Sequence, residues 1–588
     1  MSYRDNIFGN LFEPETRLSL YQATRLGVRH LNRRNPLLCQ PEQPTELTVT
    51  TSGPEPFERV SCWFQTEAGH ESTFDLTPGT VEWDNTLGDY IRTWHGILPP
   101  QPNNTMLRYR VGAQMGRTQT WVYADNQTTQ AEQATQFACW VTEAKPPDWS
   151  RHAIVYHIFV DRFYPGDGKP WKTPDTLSGF YGGTLRGITQ KLDYIQNLGF
   201  NVIWLSPIFP SPSHHGYDAT DYFSIEPRLG TLEDFQELLR EAHTRQMRVL
   251  LDFVANHCSN QHPAFLAAQT DSHSPMCDWF TWQDWPKEYA TYFGVREMPE
   301  FNLRRAPARQ YLLESARFWL EMGVDGFRLD YAYGPSHDFW AEFQRTCRQT
   351  RPDCWTFGEI IHTPETQRSY SGTMDGALDF LLCRALRETF GHRNWSPARF
   401  EAFLSQHEVF FPAWFSQPAF LDNHDMNRFL FIAQEDPAKL KLAALALFTL
   451  AGPPIVYYGT EVGVTQERPI HQNSFGIFEE ARLPMKWGSE QNTDLRETFR
   501  QLIALRRAYP FLATAPRRLL HLDEQTLAYA RQSADGLVIA AFNLAPTSRR
   551  MFLPGISLMH DALHNGRTWA EQQGLWLELP AQSGAFLV

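Results

Sequence analysis

Gly326-Phe327-Arg328-Leu329-Asp330 is the stretch whose reading decides the fold. Phe327 and Leu329 suit a strand buried on both faces, and Asp330 stands where that strand would end. In a (β/α)8 barrel the active site is built at the C-terminal ends of the strands. Arg328 lies two residues before Asp330, so both side chains fall on one face of the strand. A guanidinium in that place holds the carboxylate ionised, as a nucleophilic or charge-stabilising aspartate requires. Alone, the stretch reads equally well as a strand-end salt bridge. The other strand ends decide between the two.

Outward from this stretch, apolar strands alternate with amphipathic helices from Ile154 onward, the pattern of βαβ units around a parallel sheet. The expected strands are 154–160, 202–205, 249–253, 327–329, 355–358, 376–378, 419–421 and 455–458. Eight such strands make a closed TIM barrel the economical arrangement. Residues 232–247 predict a helix with Phe235, Leu238, Leu239 and Ala242 on one face. Residues 309–322 predict another, stopped by Gly323 at C′. An aromatic, irregular insertion over about 258–302 follows the third strand and is too long for an ordinary βα loop. It reads as a subdomain over the site.

The flanks read as β-structure. Short segments at 47–51, 60–65, 90–98, 107–111 and 118–123, parted by turn residues, predict a sandwich. Alternating segments at 526–529 and 538–543 predict a smaller one. The expected division is an N-terminal β-sandwich over 1–145, the barrel over 146–510 and a C-terminal β-sandwich over 511–588. Trp63, Trp83, Trp94 and Trp121 are candidate contacts for flat ligands such as sugar rings, although core packing is the commoner use of such residues.

The 588 residues carry a net charge of −13, which argues against nucleic acid or an anionic membrane as partner. The most apolar run, 442–450, is too short to cross a bilayer. Residues 1–14 include Arg4 and Asp5 and no apolar core, so no signal peptide is expected. None of the eight cysteines forms a C-x-x-C pair, so free thiols in a cytoplasmic protein are expected.

Four strand ends carry polar clusters: Asp252 with Asn256 and His257, then Arg328 with Asp330, then Glu359, then Asp422 with Asn423, His424 and Asp425. All converge on one mouth. Asp330, Glu359 and Asp425 are the carboxylates available for catalysis. Paired carboxylates about 5–5.5 Å apart are the equipment of a retaining glycoside hydrolase, and neighbouring strands lie about 4.8 Å apart. Asp330, beside Arg328, reads as the nucleophile. Glu359 follows the apolar Trp355-Thr356-Phe357, lacks an adjacent arginine in sequence, and reads as the general acid with a raised pKa.

The motifs DFVANH (252–257), GFRLD (326–330), GEI (358–360) and FLDNHD (420–425), in that order, resemble the conserved regions of the α-amylase family of glycoside hydrolases. So do VYHIFVDRF, LSPIF, GYDATDYF and GPPIVYYGTE, and the resemblance spans about 148–487. It implies Asp330 as nucleophile, Glu359 as acid/base and Asp425 as transition-state stabiliser. It further implies that Arg328, His257 and His424 hold the sugar at the cleavage site, that Asp252 supports them, and that Tyr217 stacks on that sugar.

The N-terminal β domain and MPEFN (298–302) are similar to the cyclomaltodextrinase, neopullulanase and maltogenic amylase group, in which this domain often helps a second subunit cover the active site. That resemblance implies a possible homodimer. After the nucleophile the group usually reads VANE, whereas this chain has Tyr331-Ala332-Tyr333-Gly334, without the acid. No cofactor is expected to be required, and calcium is the one candidate. Thr184 and Asn302 stand where calcium-binding relatives carry Asp, which argues against a tight site. Three functions are therefore expected in order: a retaining α-glucan hydrolase acting on maltooligosaccharides, cyclodextrins or pullulan; a transglycosylase on the same substrates; and a non-catalytic glucan-binding protein.

Overall fold

The computed structural model describes residues 14–67, 69–472, 475–476 and 478–588; the signal-peptide reading of residues 1–13 lies outside them. All eight expected barrel strands form: β1 (Val155–Ile158), β2 (Val202–Leu205), β3 (Arg248–Phe253), β4 (Gly326–Leu329), β5 (Trp355–Gly358), β6 (Gly376–Ala377), β7 (Ala419–Phe420) and β8 (Pro454–Tyr457). They pair in parallel in the order β6-β5-β4-β3-β2-β1-β8-β7. The remaining gap is closed by the segment entering β7. Gly376 bridges Ser416, and the amides of Ser416, Ala377 and Asp379 donate to the carbonyls of Asp375, Ser416 and Pro418.

Almost every strand residue is buried, as a sheet covered by helices outside and packed side chains inside demands. Gly326 is required at the start of β4, because a Cβ there would lie 2.0 Å from the Trp355 carbonyl oxygen of β5. The registers pair Asp252 with Arg328 and Arg328 with Phe357. They therefore fix which side chains meet above the barrel.

Helix α1 (Leu232–Thr244) starts at a capping box formed by Thr231 and Asp234 and buries Phe235, Leu238, Leu239 and Ala242. It ends three residues before the expected boundary, because Gln246 takes φ 58° and the Met247 amide turns back to the Ala242 carbonyl. The insertion after β3 carries helix α2 (Pro263–Thr270) and a small hairpin, Trp282–Asp284 with Glu288–Tyr289. Phe265, Phe280, Trp282 and Tyr289 pack on one another there, so most of the insertion's aromatics are its own core. Helix α3 (Ala306–Met322) stops at Gly323, φ 117°. Helix α4 (His337–Thr350) follows β4.

Before the barrel, two five-stranded antiparallel sheets face each other across a core that includes Leu47, Val49, Cys62, Trp94 and Val111. Five of their ten strands escaped the sequence reading: the short Val28–Arg29, Arg34–Asn35 and Ser72–Asp75, and two longer ones. Thr77–Asp84 contains Pro78 at a register shift. Phe137–Trp140 is buried at every position and so shows no alternation, because α4 covers the face turned from the sandwich and Ala341 packs with Met106, Ala138 and Trp140. Of the four tryptophans named as candidates, Trp94 is core, and Trp63 packs edge-on against Trp121. After the barrel, a four-stranded and a three-stranded sheet form the C-terminal sandwich.

Candidate active site

Arg328, with no exposed surface, lies at the centre of the barrel mouth. Its Nη1 is 2.7 Å from Asp252 Oδ1 and 2.8 Å from Asp330 Oδ1, and its Nη2 is 2.7 Å from Glu359 Oε1. Parallel strands in register place β3, β4 and β5 side by side, so one planar guanidinium spans all three ends. The expectation that Glu359 stands without an arginine is therefore corrected: Arg328 reaches it across the β4–β5 pair. The second oxygen of Glu359 accepts the Tyr331 amide at 3.3 Å.

Asp252 also accepts from Tyr217 Oη at 3.1 Å and from Trp204 Nε1 at 3.3 Å. Tyr217 Oη lies 2.6 Å from His424 Nε2, and the two rings are parallel with centroids 5.2 Å apart. Below them His157 is stacked on Trp204 at 3.6 Å. His257 is buried and lies 4.5 Å from the Tyr292 ring. The structure thus brings all eight residues singled out in the sequence to one mouth.

Asp425 is the most open of the three candidate carboxylates, its side chain 28% exposed. It lies 3.0 Å from His424 Nε2 and 2.7 Å from Arg482 Nη2. Arg482 also donates to the His424 carbonyl at 2.8 Å. Sequence reasoning missed Arg482, which sits beyond β8 in a stretch without a strand-end signature. It also missed the rim. Tyr292 and Phe293 of the insertion meet Tyr331, and both Phe293 (φ 46°) and Tyr331 (φ 37°) sit in the left-handed region. Non-glycine residues held there tend to mark functional sites.

The electrostatics differ between the two groups of carboxylates. Burial pushes Asp330 up to about 7, against the pull of Arg328 and with Asp252 and Asp425 adding to it. Burial likewise pushes Glu359 up to about 7, with Asp330 and Asp425 adding to it. Arg328 alone therefore does not keep Asp330 fully ionised as expected, since it is shared by three acids in a dry site. The two groups titrate as a pair. Asp425 behaves oppositely: burial opposes its charge, but His424 and Arg482 hold it well below the usual carboxylate range. Burial lowers His257 to about 3 and also lowers His424, so at neutral pH Arg482 is the permanent cation on Asp425. One site thus holds two acids pushed up towards neutrality beside a third that stays charged.

The residues compared with calcium ligands do not fit a tight site. Asp167 accepts from Gln190 Nε2 at 2.8 Å, and Thr184 donates to the Pro165 carbonyl while capping a helix. Asn256 donates to Glu300. A Cβ at Gly334 would meet Asn256 Oδ1 at 2.2 Å, so Asn256 fills the place next to Gly334 from which an acid would project.

Residues 157–510 match the family described as the α-amylase catalytic domain. The chain is 35% identical to "Alpha-amylase 2" of Dictyoglomus thermophilum over 514 residues, covering 87% of each protein. It is 34% identical to "Neopullulanase 2" of Thermoactinomyces vulgaris over 406 residues, covering 65% of this chain and 67% of that one. A solved cyclomaltodextrinase superposes with a TM-score of 0.71 at 26% identity, covering 96% of this chain and 99% of that one.

Replacing Arg482 with Met removes the permanent cation from Asp425, so the carboxyl rises and ionised Asp425 is lost at a higher pH than before. Because Asp330 and Glu359 set the limbs of the pH profile, the loss is read in its height: kcat/KM at the optimum is expected to fall by roughly tenfold or more. An unchanged optimum would mean that His424 alone sets the charge on Asp425.

Proposed function

The chain belongs to the α-amylase family of glycoside hydrolases, and from that premise we propose that it is a retaining α-glucan hydrolase. The carrying observation is the single guanidinium that binds Asp330 on one nitrogen and Glu359 on the other. Two carboxylates tethered to adjacent nitrogens are close enough for the about 5–5.5 Å separation of a retaining pair.

In this reading Glu359 protonates the glycosidic oxygen while Asp330 attacks the anomeric carbon. The bond to the leaving sugar breaks as the glucosyl–Asp330 ester forms. Glu359, now a base, takes a proton from water, and that water releases the sugar with its α configuration kept. Asp425, charged throughout, stabilises the oxocarbenium-like transition state. His257 and His424, both neutral, together with Arg328 offer hydrogen bonds to the sugar hydroxyls. Asp252 orients Arg328 and Tyr217, and Tyr217 packs on the ring.

The proposed substrates are maltooligosaccharides, cyclodextrins or pullulan, with α-1,4 and possible α-1,6 cleavage. The relatives named neopullulanase and cyclomaltodextrinase support this range. One observation favours a transglycosylase reading as well. Phe293 is 73% exposed and Tyr333 is half-exposed beside the nucleophile's loop, and such faces suit an acceptor sugar better than water.

Eight free cysteines, seven of them buried, support a reducing, cytoplasmic location; among the described residues no helix is long and apolar enough to cross a membrane. Trp83 and Tyr90, 51% and 61% exposed, pack edge-on against each other on the N-terminal sandwich. That apolar patch supports a homodimer through this domain.

The deciding experiment follows products by NMR on β-cyclodextrin, pullulan and maltotriose. α-Configured first products are expected, and β-configured ones would refute the retaining assignment. Asp330 must lose its proton and Glu359 must keep one. With both near 7, kcat/KM should form a narrow bell centred near neutral pH. Glu359→Gln should lower kcat by about 10²–10⁴-fold and remove the basic limb. Sedimentation velocity before and after dialysis against a chelator should show a dimer and unchanged kcat. A monomer would end the dimer proposal, and lost activity restored by calcium would reinstate a metal.

A further inference from the structure

A cavity of about 730 Å³ lies where the N-terminal region meets the barrel, and its lining includes none of the catalytic carboxylates. The helix Pro14–Ala23 and the chain that follows it supply Arg17, Arg25 and Arg33. The helices Phe380–Leu386 and Pro397–Phe410, which follow β6, supply Arg384 and Arg399. The segment that continues from Glu359 completes the wall with His362 to Glu365. Nothing in the mechanism above uses these residues.

Five arginines therefore line one cavity, and Glu365 is the one acid among the described lining residues. In a chain of net charge −13 such a concentration runs against the composition. The acids nearby only partly offset it. Asp84 lies 3.9 Å from Arg25, Glu388 acts on Arg384, and Asp125 and Glu365 act on Arg33, although Asp125 serves Arg29 as well. Among the described residues Arg17, Arg33 and Arg399 form no ion pair. The arginines act on one another instead. Burial lowers Arg384 against the pull of Glu388, with Arg399 and Arg17 adding to the loss. Burial lowers Arg33 against the pull of Asp125, with Arg25 adding to it. Like charges held together in this way are relieved by an anion between them.

The residue types say which anion suits. Burial lowers His362, so at neutral pH every cation in the wall is an arginine. A guanidinium's planar fork matches the oxygens of a phosphoryl group. Arg17 and Arg399 are exposed, so both reach a ligand arriving from solvent, and both act on Arg384. Arg399 is steadied by the Trp395 ring, 4.5 Å beneath it. Leu20, Leu31 and Leu381 give the lining an apolar part that suits the carbon body of an ester. The volume lies within the range of ordinary ligand pockets. We propose that this cavity binds a phosphoryl group carried on a small organic body, a hexose phosphate being the probe, with Arg17 and Arg399 holding the phosphate beside Arg384. The site borders the catalytic rim, because His362 is stacked on Tyr333 of the nucleophile's loop at 4.9 Å.

The test titrates glucose 6-phosphate, inorganic phosphate and glucose into the full chain by calorimetry, and repeats each titration on the Arg17→Gln/Arg399→Gln double variant. One site per chain is expected for glucose 6-phosphate, at least about tenfold weaker in the double variant. Both side chains are exposed, so kcat/KM on maltotriose and Tm should keep their wild-type values; either single variant serves should the pair disturb folding. Inorganic phosphate binding as tightly as the ester, and weakened equally by the substitutions, would name free phosphate as the source of the group and still support the arginine site. Absence of binding, binding indifferent to the double substitution, or glucose binding as tightly as its phosphate overturns the proposal.

Discussion

A single buried guanidinium governs this molecule. Arg328 gathers Asp252, Asp330 and Glu359 within hydrogen-bonding distance while wholly removed from solvent. A charge so placed is tolerable only when it is paired with opposite charge. A lysine could not take the role, because an ammonium is one point and cannot hold two separated acids in a fixed plane. The requirement propagates outward. β3, β4 and β5 must be neighbours, their registers must set Asp252 opposite Arg328, and Gly326 must let β4 approach β5 without a Cβ.

The same arrangement divides three carboxylates into two kinds. Asp330 and Glu359 are dry, mutually repelling and share one cation, so between them they carry a proton near neutrality. Asp425 has its own arginine and more contact with solvent, and stays charged. Environment, not residue type, assigns acid, base and fixed charge. A site that needs one proton and one permanent negative charge is produced by distributing two arginines unequally among the acids.

The barrel was legible in the sequence because its signal is local. Apolar runs spaced by amphipathic helices located every strand, and the parity of Arg328 and Asp330 predicted their shared face. Arg328's grip on Glu359 was not legible, since it depends on which strands become neighbours and on the reach of a side chain across them. Arg482 was hidden for a related reason. It arrives from a short helical turn after β8, where no periodicity marks a functional position. Phe137–Trp140 was missed because burial on both faces erases the alternation by which a sandwich strand is recognised. Tyr292 and Phe293 were masked by the aromatic company around them, most of which only fills the insertion.

The strand Phe137–Trp140 has a further meaning for how the chain holds together. One of its faces belongs to the N-terminal sandwich and the other to α4, the helix that follows the nucleophile's strand. Arg108 of the sandwich and Arg309 of α3 both bind Glu342 on that helix. The border between the two units is therefore a party wall and not a seam. The N-terminal sandwich is no detachable accessory, for trimming it away would strip the casing from the helix behind Asp330. Lineages that lost this domain would have had to resurface α4 with polar residues, and so would anyone hoping to transplant the barrel alone.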